Sequence, residues 1–441
     1  MITLTNTATG KREFLKTLKK DAISFYACGI TPYDYTHLGH GRCYVLFDVL
    51  VRFLKSEGVD VTYCRNFTDI DDKLLDRAHK EFGDALRYKE VADRFINYYL
   101  EDMESLNCQF PTHQPRVTEV IPEIIALIQT LLDRGFAYAV GGDVYYKVDA
   151  FPSYGVLSKR SLEDLRAGAR VEINHKKNNP LDFALWKSES SGFWDAPWGH
   201  GRPGWHIECS AMAMKYFGNS IDLHAGGQDL IFPHHENERA QSEGATGCVF
   251  AHHWMHVAFV RVNEEKMSKS LGNFFTLRDL FNHFDPMVVR FYLLNHHFRS
   301  PLDFAITDLE NAEKAYRKLC KAFATRVCKV DLADLGTVET PVLNAMKKIL
   351  KDDLNIVGLW GVVFENLDTL GQEFCLVKVF IQNVLGLTLE PLAQKIVCIT
   401  PEIQALINAR DAARLAKNWT EADKLRDQLK EMGVDVQDRK I

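Results

Sequence analysis

Three short stretches carry side chains fit for chemistry. In FPHHENERAQSE (232–243), two adjacent histidines follow the turn-like AGGQDL (225–230). Residues four apart on a helix share a face. His234 and Glu238 can therefore reach one ion and supply half of a metal site. His235 stands about 100° further round the helix and should not reach it. The second stretch is HLGH (37–40), with two imidazoles facing the same way at a helix start. Gly39 between them lets a ligand approach the backbone closely. The free N–H groups and dipole of a helix N-terminus favour an anion such as phosphate. The third is KMSKS (266–270), where Lys266 and Lys269 lie in a cationic loop with serines, a glycine and an asparagine. Lysine carries a point charge on a long stem, suited to a phosphate that moves. Taken singly, HLGH also fits a polar cap, and KMSKS an exposed loop.

The flanking pattern says what must position these groups. AISFYAC (22–28) is β-like, GITPYDY is a loop, 42–58 is apolar at helical spacing and stops at Gly58, and VDVTYC (59–64) alternates like a strand. Strand, turn, helix, strand is a βαβ unit, and ligands collect at the carboxyl ends of its strands. The spacing predicts a helix within 116–140 ending at Gly135, then hairpin-like strand at 141–151. FWDAPWGHGRPGWH (193–206) reads as a structured loop. A helix at 207–218, a strand and turn at 220–227, a helix at 232–244 and a strand at 251–262 follow. From about 305 onward the pattern is mostly helical, and 401–438 reads as two charged helices. No repeat is present.

The expected fold class is α/β: a Rossmann-like nucleotide-binding parallel sheet with an insertion, followed by a C-terminal α-helical bundle. The expected divisions are 1–115 and 200–262 for the two halves of the catalytic domain and 116–199 for a connective insertion. Then come 263–315 for the KMSKS-bearing region, 316–390 for a helical bundle and 391–441 for a small C-terminal domain.

With 441 residues the chain exceeds one ordinary core, so two to four domains are expected. Its 46% hydrophobic and 25% charged residues suit a soluble globular protein. A net charge of -6 excludes a generic polyanion binder, so any nucleic-acid contact must use a local basic face. The N-terminus lacks a signal-peptide core, and FCLVKVFIQNVLGLTL (374–389) is too short and too polar to span a bilayer. Ten scattered cysteines without a CxxC pair argue against a disulfide framework and for a reducing, cytoplasmic setting.

Together, HLGH and KMSKS resemble the paired signatures of class I aminoacyl-tRNA synthetases. YACGITPYDYTHLGHGR, RNFTDIDDK, PLDFALWK, PWGHGRPGWHIECSAM, GGQDLIFPHHENERAQSE and EKMSKSLGNFFT resemble the cysteinyl-tRNA synthetase family, from about residue 20 to 310. Beyond 310 the likeness is general. Pro32 stands where the family more often has a β-branched residue, and Ala225 where glycine is frequent; neither is a ligand position.

The resemblance implies one zinc per chain, held by Cys28, Cys209, His234 and Glu238. It implies ATP with Mg2+, L-cysteine and tRNA(Cys) as substrates, a monomer, and neither DNA nor membrane as a partner. His37 and His40 would contact the phosphates, and Lys266 and Lys269 would steady the developing charge. Gly39, Gly226 and Gly227 would let the nucleotide lie close, with Asp229 on a ribose hydroxyl. Thr68, Trp205 and His224 resemble the wall of the amino-acid pocket; otherwise they would be a helix cap, a core aromatic and a core histidine. Zinc binds thiolate well and an alcohol poorly, whereas a hydrophobic slot separates near-isosteres by only about 1–3 kcal/mol. An open coordination position would therefore reject serine without an editing domain.

Three rival readings remain: a ligase joining cysteine to an aminosugar, an inactive binding module on the same fold, and a structural-zinc protein. The discriminator for the first is the tail. It pairs eight Lys or Arg from Arg410 to Lys440 with seven acids, although Arg410, Arg414 and Lys417 fit one helical side and Trp419 offers a stacking surface.

Overall fold

Ala22–Ile30 is the first strand of a four-stranded parallel sheet, and its inner residues Phe25, Tyr26 and Ala27 are fully buried. In a computed structural model of the chain, residues 2–161, 175–262, 265–266, 275–324, 328–330, 335, 338–393 and 401–431 are described. The sheet runs in the order 251–257, 221–227, 22–30, 60–67. Leu38–Ser56 is the crossover helix between the last pair of neighbours in that order, 22–30 and 60–67. It buries Tyr44, Phe47, Leu50 and Phe53; Phe47 meets Phe25 edge-on at 5.6 Å, and Phe25 stacks on Tyr63 at 4.6 Å. Strand order reverses between 22–30 and 221–227. Open parallel sheets bind ligands in the crevice at such a switch point, beyond the carboxyl ends of the strands.

At that end, strand 22–30 departs from regular pairing between Ala27 and Ile30. A Cβ on Gly29 would stand 1.6 Å from the Asn66 carbonyl oxygen, so only glycine lets the two strands approach there. His37 is the N-cap of the crossover helix, and its Nδ1 accepts the His40 backbone N–H at 3.2 Å. The helix thus begins four residues earlier than the apolar periodicity suggests, because its first turn is polar and faces the crevice.

A separate five-stranded antiparallel sheet has the order 137–140, 143–146, 183–188, 199–203, 194–196. The segment expected as a structured loop at 193–206 therefore contains a hairpin, Trp194–Ala196 with Gly199–Pro203. The last strand feeds straight into the helix Trp205–Phe217 through Gly204, where a Cβ would meet the Ala184 oxygen at 2.0 Å.

The helices Pro286–Leu294, Ile306–Phe323, Pro341–Leu350, Ile356–Asn366 and Phe374–Asn383 follow. The buried Arg290 joins them to the crossover helix. Its guanidinium donates to Asp48 at 2.5 Å, to the Leu106 carbonyl at 2.7 Å and to the Leu385 carbonyl at 2.7 Å. Cys328 and Cys375 are joined by a disulfide, a single pair in a chain whose scattered cysteines argue against a disulfide framework. The chain divides into two compact units, Met1–Glu390 and Pro391–Ile441. The second holds the helices Pro401–Leu415 and Trp419–Glu431, packed against each other. Within it Trp419 is exposed as expected, but Arg410 is buried and paired with Asp411 at 3.1 Å, so it does not join Arg414 and Lys417 on an open face. Among the described residues, no helix is long and apolar enough to cross a membrane.

Candidate active site

A cavity of about 320 Å³ opens at the switch point. Cys28 enters it from the end of strand 22–30, and Cys209 from the second turn of the helix Trp205–Phe217. His234 and Glu238 come from the start of Glu236–Thr246 and the turn that leads into it. All four are buried, and one donor atom from each lies within 4.8 Å of the others. The Cys28 and Cys209 sulfurs are 3.8 Å apart, Cys28 Sγ is 3.3 Å from Glu238 Oε1, and His234 Nε2 is 3.0 Å from the same oxygen. Two sulfurs on one tetrahedral zinc, each at about 2.3 Å, would stand about 3.8 Å apart. Donor types and spacing therefore fit that ion.

The set is electrostatically poised. The Cys209 thiol is lowered to about 6, first by the hydrogen bond from Cys28 and, against burial, by His234. Burial drives the Cys28 thiol well above its usual range. Burial also opposes charge on His234 and Glu238, yet their mutual attraction wins. The imidazole rises to about 10 and the carboxyl falls well below the ordinary carboxylate range, with His224 contributing to the latter.

His235 lies closer to the cluster than the helical wheel suggests. Its Nε2 lies 3.4 Å from Cys28 Sγ and 3.9 Å from Glu238 Oε1. The reason is that positions three and four residues before Glu238 both neighbour it on a helix; the rotation between the two histidines does not carry one away. Cys28, His224, His235 and Glu238 form a second cluster with the same spacing limit. The first cluster is favoured as the one that faces the pocket: Cys28, Cys209 and His234 line the cavity, whereas His224 and His235 do not. His224 stands behind the carboxylate, with Nε2 2.9 Å from Glu238 Oε2. It reaches the pocket through Glu238, not as a wall. His235 Nδ1 in turn meets His256 Nε2 at 2.8 Å.

Thr68 lines the cavity beside Asn66, whose amide donates to the Thr68 hydroxyl at 3.2 Å. Trp205, 39% exposed, stacks on the His234 ring at 4.3 Å, so it forms a rim and not a core aromatic. His37, Gly39, His40, Gly226, Gly227 and Asp229 also line the cavity. The His37 and His40 rings stack at 3.6 Å, and Asp229 is exposed. Lys266 sits on the short strand Glu265–Lys266, paired with Arg261 of Val260–Val262. Lys269 lies outside the described residues.

Two residues not singled out in the sequence organise this site. Asn66 Oδ1 accepts from Gly29 N at 2.9 Å and from the Tyr26 hydroxyl at 3.1 Å, tying the two strand ends together. Arg42, buried in the crossover helix, donates to the carbonyls of Ala258 and Phe259 at 2.9 Å each. It also donates to His297 at 3.0 Å and Ser300 at 2.5 Å. It thereby fixes backbone at 258–259 that lines the cavity and leads to Lys266. Asn66 was within a quoted motif (RNFTDIDDK); Arg42 directly follows HLGHG, but its partners are backbone groups that leave no sequence signal.

Residues 14–314 match the model of the class I (C) tRNA synthetase catalytic domain, and residues 399–440 match that of the cysteinyl-tRNA ligase anticodon binding domain. The chain is 44% identical to the cysteine–tRNA ligase of Caldicellulosiruptor saccharolyticus, over 99% of this chain and 97% of that one. It is 43% identical to the cysteine–tRNA ligase of Geotalea uraniireducens, over 96% and 95%. The chain belongs to the cysteinyl-tRNA synthetase family. Among solved structures, the methionyl-tRNA synthetase of Mycobacterium tuberculosis in complex with methionyl-adenylate shares the fold. Its TM-score is 0.58 and its identity 14%, covering 83% of this chain and 88% of that one. As a class I synthetase the chain is an ATP-using ligase with an α/β catalytic core and a helical end.

Proposed function

We propose that the chain activates L-cysteine with ATP and transfers the cysteinyl group to tRNA(Cys), selecting cysteine over serine at a zinc site and without editing. One observation carries the reading. Two thiols, an imidazole and a carboxylate converge, three of them lining a cavity that His37, Gly39, His40, Gly226, Gly227 and Asp229 also line. When bound, zinc would supply a Lewis acid that takes a thiolate as a further ligand and discriminates against a hydroxyl.

The chain's own residues do the rest. Cys28, Cys209, His234 and Glu238 hold the ion, and His224 orients the carboxylate. Thr68 and Trp205 bound the amino acid. The substrate carboxylate, with a reference pKa of about 3.5, is already ionised and needs no general base. Activation then depends on placing it in line with the α-phosphate and stabilising the departing pyrophosphate. His37 and His40, at a helix N-terminus, are the phosphate partners; Lys266 and Lys269 steady the charge, and Asp229 accepts from the ribose, with ATP entering as its Mg2+ complex. Gly39, Gly226 and Gly227 leave room for the nucleotide. The division into 1–115, 116–199, 200–262, 263–315, 316–390 and 391–441 assigns the RNA contacts to the last three segments. The anticodon-domain match at 399–440 supports tRNA over an aminosugar as acceptor.

A monomer acting in the cytoplasm is the simplest setting, although the Cys328–Cys375 pair runs against a reducing compartment. Cysteine-dependent exchange of pyrophosphate into ATP, followed by charging of tRNA(Cys), tests the reading. Exchange that fails in zinc-replete protein removes the activity, and exchange followed by transfer to an aminosugar, with no tRNA charged, replaces the acceptor.

A further inference from the structure

The floor of the cavity is closed by buried side chains, so a macromolecular substrate must reach it across the rim. Four lining residues are exposed: Tyr35, Lys73, Trp205 and Asp229. Trp205 already covers His234, and Asp229 faces the nucleotide part. Tyr35 and Lys73 belong to a different sector, formed by the loop before HLGH and the helix Asp72–Phe82.

Tyr35 is 39% exposed, yet its ring is held firmly. It stacks on Tyr98 at 5.1 Å with the planes 30° apart, and Phe95 meets it edge-on at 5.5 Å. The Arg278 guanidinium lies 4.5 Å over the Tyr98 ring, fixed there by Glu101 at 2.5 Å and Asp102 at 3.0 Å. Its charge is thus neutralised, and it serves the aromatic stack more than it attracts phosphate. Lys73, another exposed residue of the lining, has its Nζ 5.1 Å over the ring of Tyr33, two residues before Tyr35, which also lines the cavity.

An exposed aromatic ring, backed by a second ring and next to a lysine, is what proteins use to receive unpaired nucleotides. Stacking accepts any base, because every base has a π-face, and a nearby cation follows the backbone. A ring immobilised in advance loses little entropy when a base lands on it. The same stack is poorly suited to a folded protein partner, since it is a narrow ridge at a cavity mouth and not a broad apolar face.

We infer that Tyr35, supported by Tyr98 and flanked by Lys73, stacks a base of the unpaired 3′ end of the RNA substrate as that end enters the cavity. The inference rests on tRNA being the acceptor. The test compares Tyr35→Ala and Tyr35→Phe in two assays, pyrophosphate exchange and tRNA charging. Binding is measured in parallel to intact tRNA and to the same tRNA trimmed of its unpaired 3′ nucleotides.

Tyr35→Ala is expected to weaken binding of intact tRNA about tenfold, the scale of one lost stack, and to raise the KM for tRNA to match. It should bind trimmed tRNA as the wild type does and keep the wild-type KM for ATP in exchange. Tyr35→Phe, which keeps the ring, should charge normally. The inference is overturned if Tyr35→Ala charges like the wild type or if trimmed tRNA shows the same loss. It is also overturned if the KM for ATP rises, which would make the ring an adenine contact, or if Tyr35→Phe is as impaired as alanine. A wild-type protein that exchanges pyrophosphate but charges no tRNA would instead remove the acceptor assignment, and this inference with it.

Discussion

The floor and the rim of one cavity are built on opposite terms. At the floor, Cys28, Cys209, His234 and Glu238 have almost no exposure, and their donor atoms are already within 4.8 Å of one another. At the rim, Tyr35, Lys73, Trp205 and Asp229 are open to solvent. On the proposed reading, the floor tells sulfur from oxygen, a small difference in shape, and needs donors fixed before the substrate arrives. The rim has to admit a nucleotide and the end of a long RNA, and needs accessible, shape-tolerant surfaces. Preorganisation and access are thus separated along one crevice.

The strongest way to break this contrast is to remove a floor donor. Cys209→Ser is expected to lower zinc affinity more than about 100-fold, beyond the range seen for supporting residues, and to abolish the preference for cysteine. Metal analysis of the purified protein and exchange assays with cysteine and serine check this. A variant that keeps stoichiometric zinc and full selectivity would refute the assignment.

Arg42 ties the crossover helix to backbone at 258–259 and 297–300 beside the crevice. Arg42→Ala takes the donor from the Ala258 and Ser300 carbonyls, while those of Phe259 and His297 keep the N–H groups of Leu302 and Ser300, and each buried unsatisfied group costs about 1–3 kcal/mol. Denaturant unfolding should show a loss of about 3 kcal/mol or more. In conditions where the variant stays folded, the KM for ATP should rise while zinc content stays at one per chain. Unchanged stability would mean that water replaces the guanidinium without cost.

A smaller effect should come from behind the floor. His206 Nδ1 lies 2.9 Å from His234 Nδ1, and burial keeps His206 well below the usual imidazole range, so it is neutral and can accept the His234 N–H. His206→Phe keeps a ring of similar shape and removes the acceptor. Zinc affinity measured by chelator competition should fall about tenfold, and unaltered affinity would show that the ring only packs.

The smallest effect lies behind the rim. Asp102 is pushed up to about 6 by burial, which outweighs the attraction of Arg278. The folded protein therefore keeps this proton up to about pH 6, while the unfolded chain releases it near 3.8. Between those values the native state binds more protons, so this group makes stability fall as pH rises. Asp102→Asn should flatten the melting temperature against pH over that window, by on the order of 1 kcal/mol after allowing for solvent screening. An identical slope in both proteins would exclude Asp102 as its source.

The parallel sheet and its crossover helix were legible because strand and helix periodicities are local. His234 and Glu238 were legible for the same reason. Cys28 and Cys209 were not readable from spacing, because the fold joins positions 181 residues apart; only the resemblance paired them. His235 comes nearer the carboxylate than a wheel suggests, at 3.9 Å, because rotation alone does not say how far a long side chain reaches, yet it does not line the cavity. The hairpin at 194–203 looked like a loop because of its glycines. Yet a Cβ on Gly201 would stand 2.2 Å from the Lys187 oxygen, so that glycine is a requirement of the sheet. The buried place of Arg410 was hidden because a charged residue on a short helix usually faces water.

The most direct measurement is X-ray absorption at the zinc edge of the purified protein, alone and with saturating cysteine or serine. The account predicts two sulfur neighbours in the free protein, a third on adding cysteine, and none gained with serine. A spectrum without two sulfurs, or one that cysteine and serine change alike, would contradict it.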